Sequence, residues 1–134
     1  MIGDRIGEVI GQVTGRRVLP ERNGMPVMEV SFQQSGEMYG VHVNETGTYE
    51  SMRLPDGKLR GKGRGVLMTP DGEIVRWEGT GLGRFVDGGL ISWRGSLLYR
   101  TDSVRLARLN EIVGLFEYEI DEAGKSTGAV WEWT

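Results

Sequence analysis

The chain predicts an all-β protein, a single closed barrel of eight antiparallel up-and-down strands, and three observations carry that prediction. Gly61, Gly63 and Gly65 recur at every second position of one segment, and Gly79, Gly81 and Gly83 do the same on the next. Between them lies Pro70-Asp71-Gly72, a turn signal. Glycine is 22 of 134 residues, spread through alternating apolar and polar segments instead of gathered in a low-complexity tract. Glycine costs a strand both conformational entropy and packing, so a period-two repeat on neighbouring strands marks one face from which side chains are kept out.

In chain order, alternation and turn residues predict strands at Gly7 to Val18, Val27 to Gln34, Tyr39 to Leu54, Leu59 to Thr69, Glu73 to Val86, Leu90 to Arg100, Ile112 to Ile120 and Thr127 to Trp133. The first alternates Gly7, Val9, Gly11, Val13 and Gly15 and is expected to pair with the last, closing the sheet so that no edge is left open. Between the sixth and seventh strands, Ser103 is a candidate N-cap. Val104, Leu106, Ala107 and Leu109 follow at helical spacing, which predicts a short helical plug near 103–110 over one mouth. The opposite mouth is then built from a Leu19 to Met25 loop, the turns at Gly57 and Gly88, and a loop at Gly124.

Loop length decides which residues share a face. Thr69 to Glu73 reads as a type I turn closed by a left-handed glycine, pairing Gly65 with Trp77, Gly63 with Gly79 and Gly61 with Gly81. Leu54 to Lys58 repeats that chemistry and sets Tyr49 opposite Gly63 and Ser51 opposite Gly61; Asp87-Gly88-Gly89 sets Trp93 opposite Gly83. One face then carries Val41, Val43, Tyr49, Leu59, Leu67, Val75, Trp77, Phe85, Ile91, Trp93, Leu97 and Tyr99. The other carries Glu50, Arg60, Lys62, Arg64, Arg76, Glu78, Arg84, Arg94 and Arg100, a solvated outer wall. A two-residue turn at Ser35-Gly36 is expected to bring Met28, Val30 and Phe32 inward beside Val43, Val41 and Tyr39. A four-residue loop, Glu122 to Lys125, is expected to set Phe116 opposite Trp131 and Gly114 opposite Trp133, so that all four tryptophans point inward.

The length fits one domain, 1–134. With no cysteine and one histidine, His42, neither a zinc-thiolate site nor a His-rich metal site can be assembled, and no metal or cofactor is expected. His42 has outer parity and reads as a surface residue. The N-terminal residues lack a basic cluster followed by an apolar run, and no stretch of about 18 apolar residues occurs, so the expectation is a soluble cytoplasmic protein without membrane contact. Net charge is −3, although 13 of the 16 basic residues are arginine. The outer arginines lack interleaved aromatics for base stacking, which argues against nucleic acid as a partner.

An eight-stranded barrel is near the size at which side chains either fill the interior or leave room for one small ligand. Both outcomes stay open: aromatics lying flat on the glycines as a packed core, or an apolar cavity with few polar groups. For a cavity, the candidate ligand-binding residues are Tyr49, Ser51, Arg53, Trp77, Phe85, Trp93 and Tyr118, with Arg53 and Ser51 near the open mouth and Glu45 deeper. Catalytic residues are not legible. Glu45 and Tyr49 are the candidates, because a buried carboxylate beside a phenol can move a proton; a bulge turning Glu45 outward, or an ion pair with Arg53, is the structural alternative.

The glycine-striped sheet, the Thr69 to Glu73 turn and the Trp77 to Gly81 strand, with Leu106-Ala107-Arg108-Leu109-Asn110, Phe116-Glu117-Tyr118-Glu119 and Trp131-Glu132-Trp133, resemble the allene oxide cyclase-like barrels of calycin and lipocalin-like type, in particular small bacterial members. The resemblance implies an eight-stranded barrel with a short plug, often a homo-oligomer, whose interior holds a hydrophobic small molecule. It assigns no catalytic residue. Three functions follow as expectations: a barrel binding a hydrophobic or aromatic ligand, a cyclase or isomerase acting in the same interior, or a packed interaction module without ligand. Outward Leu98, Leu115 and Val130 are the residues on which self-association would rest.

Overall fold

Eight strands run in chain order around a closed barrel in a computed structural model that describes residues 2–134. They are β1 (Ile2–Arg22), β2 (Met25–Met38), β3 (Val41–Arg53), β4 (Leu59–Met68), β5 (Ile74–Val86), β6 (Leu90–Thr101), β7 (Val113–Ile120) and β8 (Lys125–Trp133). Every neighbour is antiparallel, and β1 pairs with β8 to close the sheet. Three loops repeat one chemistry. Leu54 to Lys58, Thr69 to Glu73 and Asp121 to Lys125 each close with a backbone bond between their ends, and each holds its fourth residue, Gly57, Gly72 or Gly124, in the left-handed region. The first two fix the predicted registers: Gly65 faces Trp77, Gly63 faces Gly79 and Tyr49, and Gly61 faces Gly81 and Ser51.

The third loop corrects the eighth strand. Because its turn spans three residues and not four, Phe116 lies opposite Val130 and Gly114 opposite Glu132. A one-residue slip moves every side chain to the other face. Ser126, Gly128 and Val130 therefore point inward, Val130 being buried instead of outward, while Trp131 and Trp133 face out. Trp131 lies under the Arg5 guanidinium and Trp133 is 47% exposed. Only Trp77 and Trp93 lie in the interior.

Two further hairpins differ from expectation. The β2–β3 turn is Tyr39-Gly40, with φ of 50° and 75°, so β2 continues through Ser35-Gly36 to Met38. Each β2 residue consequently meets a partner eight positions further along β3: Val30 faces Tyr49 and Phe32 faces Gly47. The shift is even, so Val30 and Phe32 keep their inward parity. Leu19 to Met25 is not a loop either; β1 and β2 extend to an Asn23-Gly24 turn whose two residues both have positive φ, the geometry that matches strand twist. A bulge between Val13 and Gly15 flips the end of β1, placing Gly15 beside Ser31 on the outside and Arg16 beside inward Val30.

The segment between β6 and β7 plugs one end, with a single 3-10 turn, Ala107–Glu111, where a short helix was expected. Ser103 is not its N-cap: that position is Leu106, without a side-chain cap, and the Ser103 Oγ instead accepts from the Leu106 N–H at 3.2 Å, closing the bend that leads into the turn. Leu106 and Leu109 are completely buried against Val43, Val75 and Ile112 in the main core cluster, each burial contributing on the order of 2 kcal/mol. Asn110 bridges the backbone of Thr101 through both its amide atoms. Arg105 ties the plug to Asp71 and Glu73 of the β4–β5 turn, and Arg108 to Glu132 of β8, which also accepts from the Tyr39 hydroxyl. Arg108 and Tyr39 together hold the Glu132 carboxyl down to about 2. The turns at Asn23-Gly24, 54–58, 87–89 and 121–125 ring the other, open end.

Candidate functional site

The inner glycines are seats for rings. A Cβ built on Gly65 would lie 2.5 Å from Cζ2 of Trp77, and Cβ atoms on Gly61 and Gly83 would come within 2.8 and 2.9 Å of the Trp93 ring. Both indoles lie across the spaces that glycine leaves. Phe32 and Tyr118 pack with centroids 5.4 Å apart, and Tyr49 meets Trp93 nearly edge-on at 5.5 Å. The rings do not fill the barrel. Between them remains a cavity of about 100 Å³, bordered by Tyr49, Trp77, Trp93, Tyr99, Phe116 and Tyr118 and by the glycine wall.

Its polar content exceeds the expectation. Glu45 sits opposite Gln34 and Leu67 with its carboxyl in the cavity wall, neither bulged outward nor paired with Arg53. Gln34 Nε2 donates to Glu45 Oε1 at 2.7 Å, and Ser126 Oγ donates to Gln34 Oε1 at 2.9 Å, so β2 and β8 together fix the carboxyl's orientation. Burial pushes this carboxyl up to about 7, opposed only by Gln34 and by the neighbouring Trp77 indole. A neutral amide cannot compensate a desolvated charge as a cation would. Glu45 therefore exchanges a proton near neutrality.

Four residues that border the cavity carry a buried polar atom without a well-formed hydrogen bond: Trp77 Nε1, Trp93 Nε1 and the hydroxyls of Tyr99 and Tyr118. The Trp77 N–H lies beside Glu45, the Trp93 N–H beside Tyr49 and the Tyr118 hydroxyl beside Tyr49 and Ser126, none of them closing a well-formed bond, and the Tyr99 hydroxyl has no such neighbour. Buried donors are almost always paired, because an unpaired one costs about 1–3 kcal/mol. All four of these residues border one cavity. Burial raises the phenols of Tyr49, Tyr99 and Tyr118, so they are protonated donors at neutral pH.

Of the sequence-derived binding residues, the fold brings Tyr49, Trp77, Trp93 and Tyr118 together around this cavity, with Glu45. Ser51, Arg53 and Phe85 do not line it. Arg53 lies over the Phe85 ring, 5.5 Å from its centroid, in an open cleft at the rim with Asp56, Lys58 and Arg84. Ser51 is half-buried between Met28 and Gly61. Among the described residues, no three His, Cys, Asp or Glu side chains converge as metal ligands.

Solved structures of other proteins share this architecture, these three among them. One, a protein of unknown function from Clostridium acetobutylicum, matches with a TM-score of 0.82 at 12% identity, over 96% of each chain. A conserved protein of unknown function from Rhodopseudomonas palustris gives 0.81 at 13% identity, over 98% of this chain and 97% of that one. An enzyme from Penicillium herquei gives 0.65 at 13% identity, over 98% and 96%. The likeness shows the fold. No family model and no curated protein matches the chain.

The sequence reading missed Gln34, Tyr99 and Ser126 as site residues. Tyr99 had the right parity but sat among core residues. The Ser35-Gly36 turn sets Gln34 in the wrong register, and the four-residue loop Glu122 to Lys125 gives Ser126 outer parity. The signal for Ser126 was present: Asp121 to Lys125 carries glycine at the fourth position, as do Leu54 to Lys58 and Thr69 to Glu73. No helix among the described residues is long and apolar enough to cross a membrane.

Proposed function

We propose that the barrel binds a small, largely apolar molecule in its lumen, gripped by aromatic walls and oriented by hydrogen-bond acceptors that meet the indole and phenol donors. The observation that carries this reading is that four residues bordering one cavity each hold a buried polar atom without a well-formed hydrogen bond. A cavity of about 150 Å³ is known to hold benzene, so about 100 Å³ takes a ligand core of roughly four heavy atoms as it stands and of roughly six with a modest outward shift of the rings. The apolar walls supply affinity and the polar atoms supply orientation, the usual division in small-molecule sites. A relationship to the allene oxide cyclase-like barrels accords with this placement of the ligand.

The position of Glu45 supports a second reading, an isomerase or cyclase in which this carboxyl moves a proton on the bound molecule. A carboxyl near 7 is matched to proton transfer at neutral pH, and its orientation is fixed by Gln34 and Ser126. Tyr49, Tyr99 and Tyr118 would then stabilise an oxyanion as donors.

The binding reading is tested with cyclopentanone, six heavy atoms with one acceptor, titrated against ¹⁵N-labelled protein. The expected result is a saturable shift of the Trp77 and Trp93 indole N–H signals with those of Trp131 and Trp133 unmoved. Equal movement of all four, or of none, would overturn the luminal site.

A further inference from the structure

The open mouth holds one arginine that the sequence pattern places on the wrong face. Strict alternation along β1 makes Arg16 an outer residue, but the bulge between Val13 and Gly15 shifts the register so that Arg16 pairs with Val30. Val30 is buried and in turn faces Tyr49, a cavity residue. Residues directly opposite in an antiparallel pair project to the same side, so Arg16 stands on the lumen side. Its exposure places it at the rim, where β1 continues past its last pairing with β8 at Gln12. Bulges are a recurrent means of re-aiming a side chain at a site.

The other arginines of β1 are all neutralised. Arg5 pairs with Glu8 at 2.6 Å, Arg17 with Glu29 at 3.2 Å and Arg22 with Glu50 at 2.7 Å. Arg16 has no carboxylate partner among the described residues. The groups that feel its charge are instead Tyr49 and Tyr118, where it opposes the upward push of burial. The second arginine of luminal parity at this end, Arg53, is occupied by the Phe85 ring.

We propose that Arg16 reads a carboxylate on the ligand, so that the luminal site takes a small organic acid whose apolar body enters between Trp77 and Trp93 while its carboxylate stays at the mouth. This inference rests on the reading of the lumen as a binding site. A guanidinium fork matches a carboxylate in a bidentate, charge-assisted pair. One unshared arginine suits a singly charged group; a phosphate dianion would meet no second free cation from the lumen side, Arg53 being stacked on Phe85.

The test compares cyclopentanecarboxylate, cyclopentylacetate and 3-cyclopentylpropanoate with their uncharged primary amides, the chain lengths covering the reach from cavity to rim. Affinities are measured at pH 6, where the ligands are ionised and Glu45 is mainly neutral, on the wild type, R16Q and R17Q. The expected result is that at least one acid binds the wild type about tenfold or more tightly than its amide. R16Q should lose that preference while binding the amide within about twofold, and R17Q, which removes the same charge from the outer face, should keep it. Unchanged amide binding also shows that R16Q is folded. Equal wild-type affinity for acid and amide, or a preference that survives R16Q, or one lost equally in R17Q, would overturn the role of Arg16 and leave the luminal site standing. If neither acid nor amide binds the wild type, the luminal site fails and the inference with it.

Discussion

Replacing Glu45 by glutamine should change how stability depends on pH, and the size of that change follows from the site. The carboxyl titrates at about 7 in the folded protein against 4.5 for the ordinary group. A raised carboxyl binds its proton more tightly folded than unfolded. The favourable contribution of the protonated form is complete below about 4.5, fades as pH rises and is exhausted above about 7. At about 1.36 kcal/mol for each tenfold difference in proton affinity, the linkage integral predicts that this one group removes about 2.5 kcal/mol of stability between pH 5 and pH 8. Glutamine keeps an acceptor for Gln34 Nε2 and has no proton to lose. Urea unfolding of both proteins at pH 5, 6, 7 and 8 isolates the effect, because every other titrating group is common to the two. The wild type should lose about 2.5 kcal/mol more than E45Q over that interval. The comparison uses slopes, so a constant offset from the new amide does not matter. Parallel pH profiles would refute the desolvated carboxyl and, with it, the proton-transfer reading.

Two other outcomes follow. Gly65→Ala forces a Cβ into the Trp77 ring at 2.5 Å, an overpacking that costs about 1–3 kcal/mol, and should lower the Tm by roughly 3–10 °C. Gly15→Ala, whose Cβ meets nothing within 4 Å, should be neutral or slightly stabilising, and a Gly65→Ala protein as stable as that control would show that the glycine is no seat. If Glu45 moves protons, the wild type in deuterated buffer at pH 8 should speed deuterium exchange at the α-carbons of cyclopentanone above the buffer background, followed by proton NMR. E45Q should return exchange to background while still binding the ketone; no acceleration by the wild type would remove the catalytic role and leave the binding one.

The barrel was legible because its determinants are local. Glycines of period two, apolar alternation, two five-residue turns with a left-handed glycine and the Asp87-Gly88-Gly89 turn set the faces of β3, β4, β5 and β6, and with them the convergence of Tyr49, Trp77 and Trp93. Where a turn was misread, the damage depended on parity. Moving the β2–β3 turn from Ser35-Gly36 to Tyr39-Gly40 changed every partner of β2 but no face, whereas shortening the β7–β8 loop by one residue turned Trp131 and Trp133 outward and brought Ser126 and Val130 in.

The sequence by itself therefore determined the all-β barrel, the plug, the ring-and-glycine wall and the inward parity of Glu45, since each depends on spacing along one strand or across one hairpin. Only the tertiary structure decided that the rings leave a cavity, that four indole and phenol atoms of its bordering residues lack well-formed hydrogen bonds, that Gln34 and Ser126 hold Glu45 where burial lifts it to about 7, and that a bulge turns Arg16 to the lumen side. These depend on how strands distant in sequence close on one another. Void volume, desolvation and orphaned donors are properties of that enclosure, and no single strand encodes them.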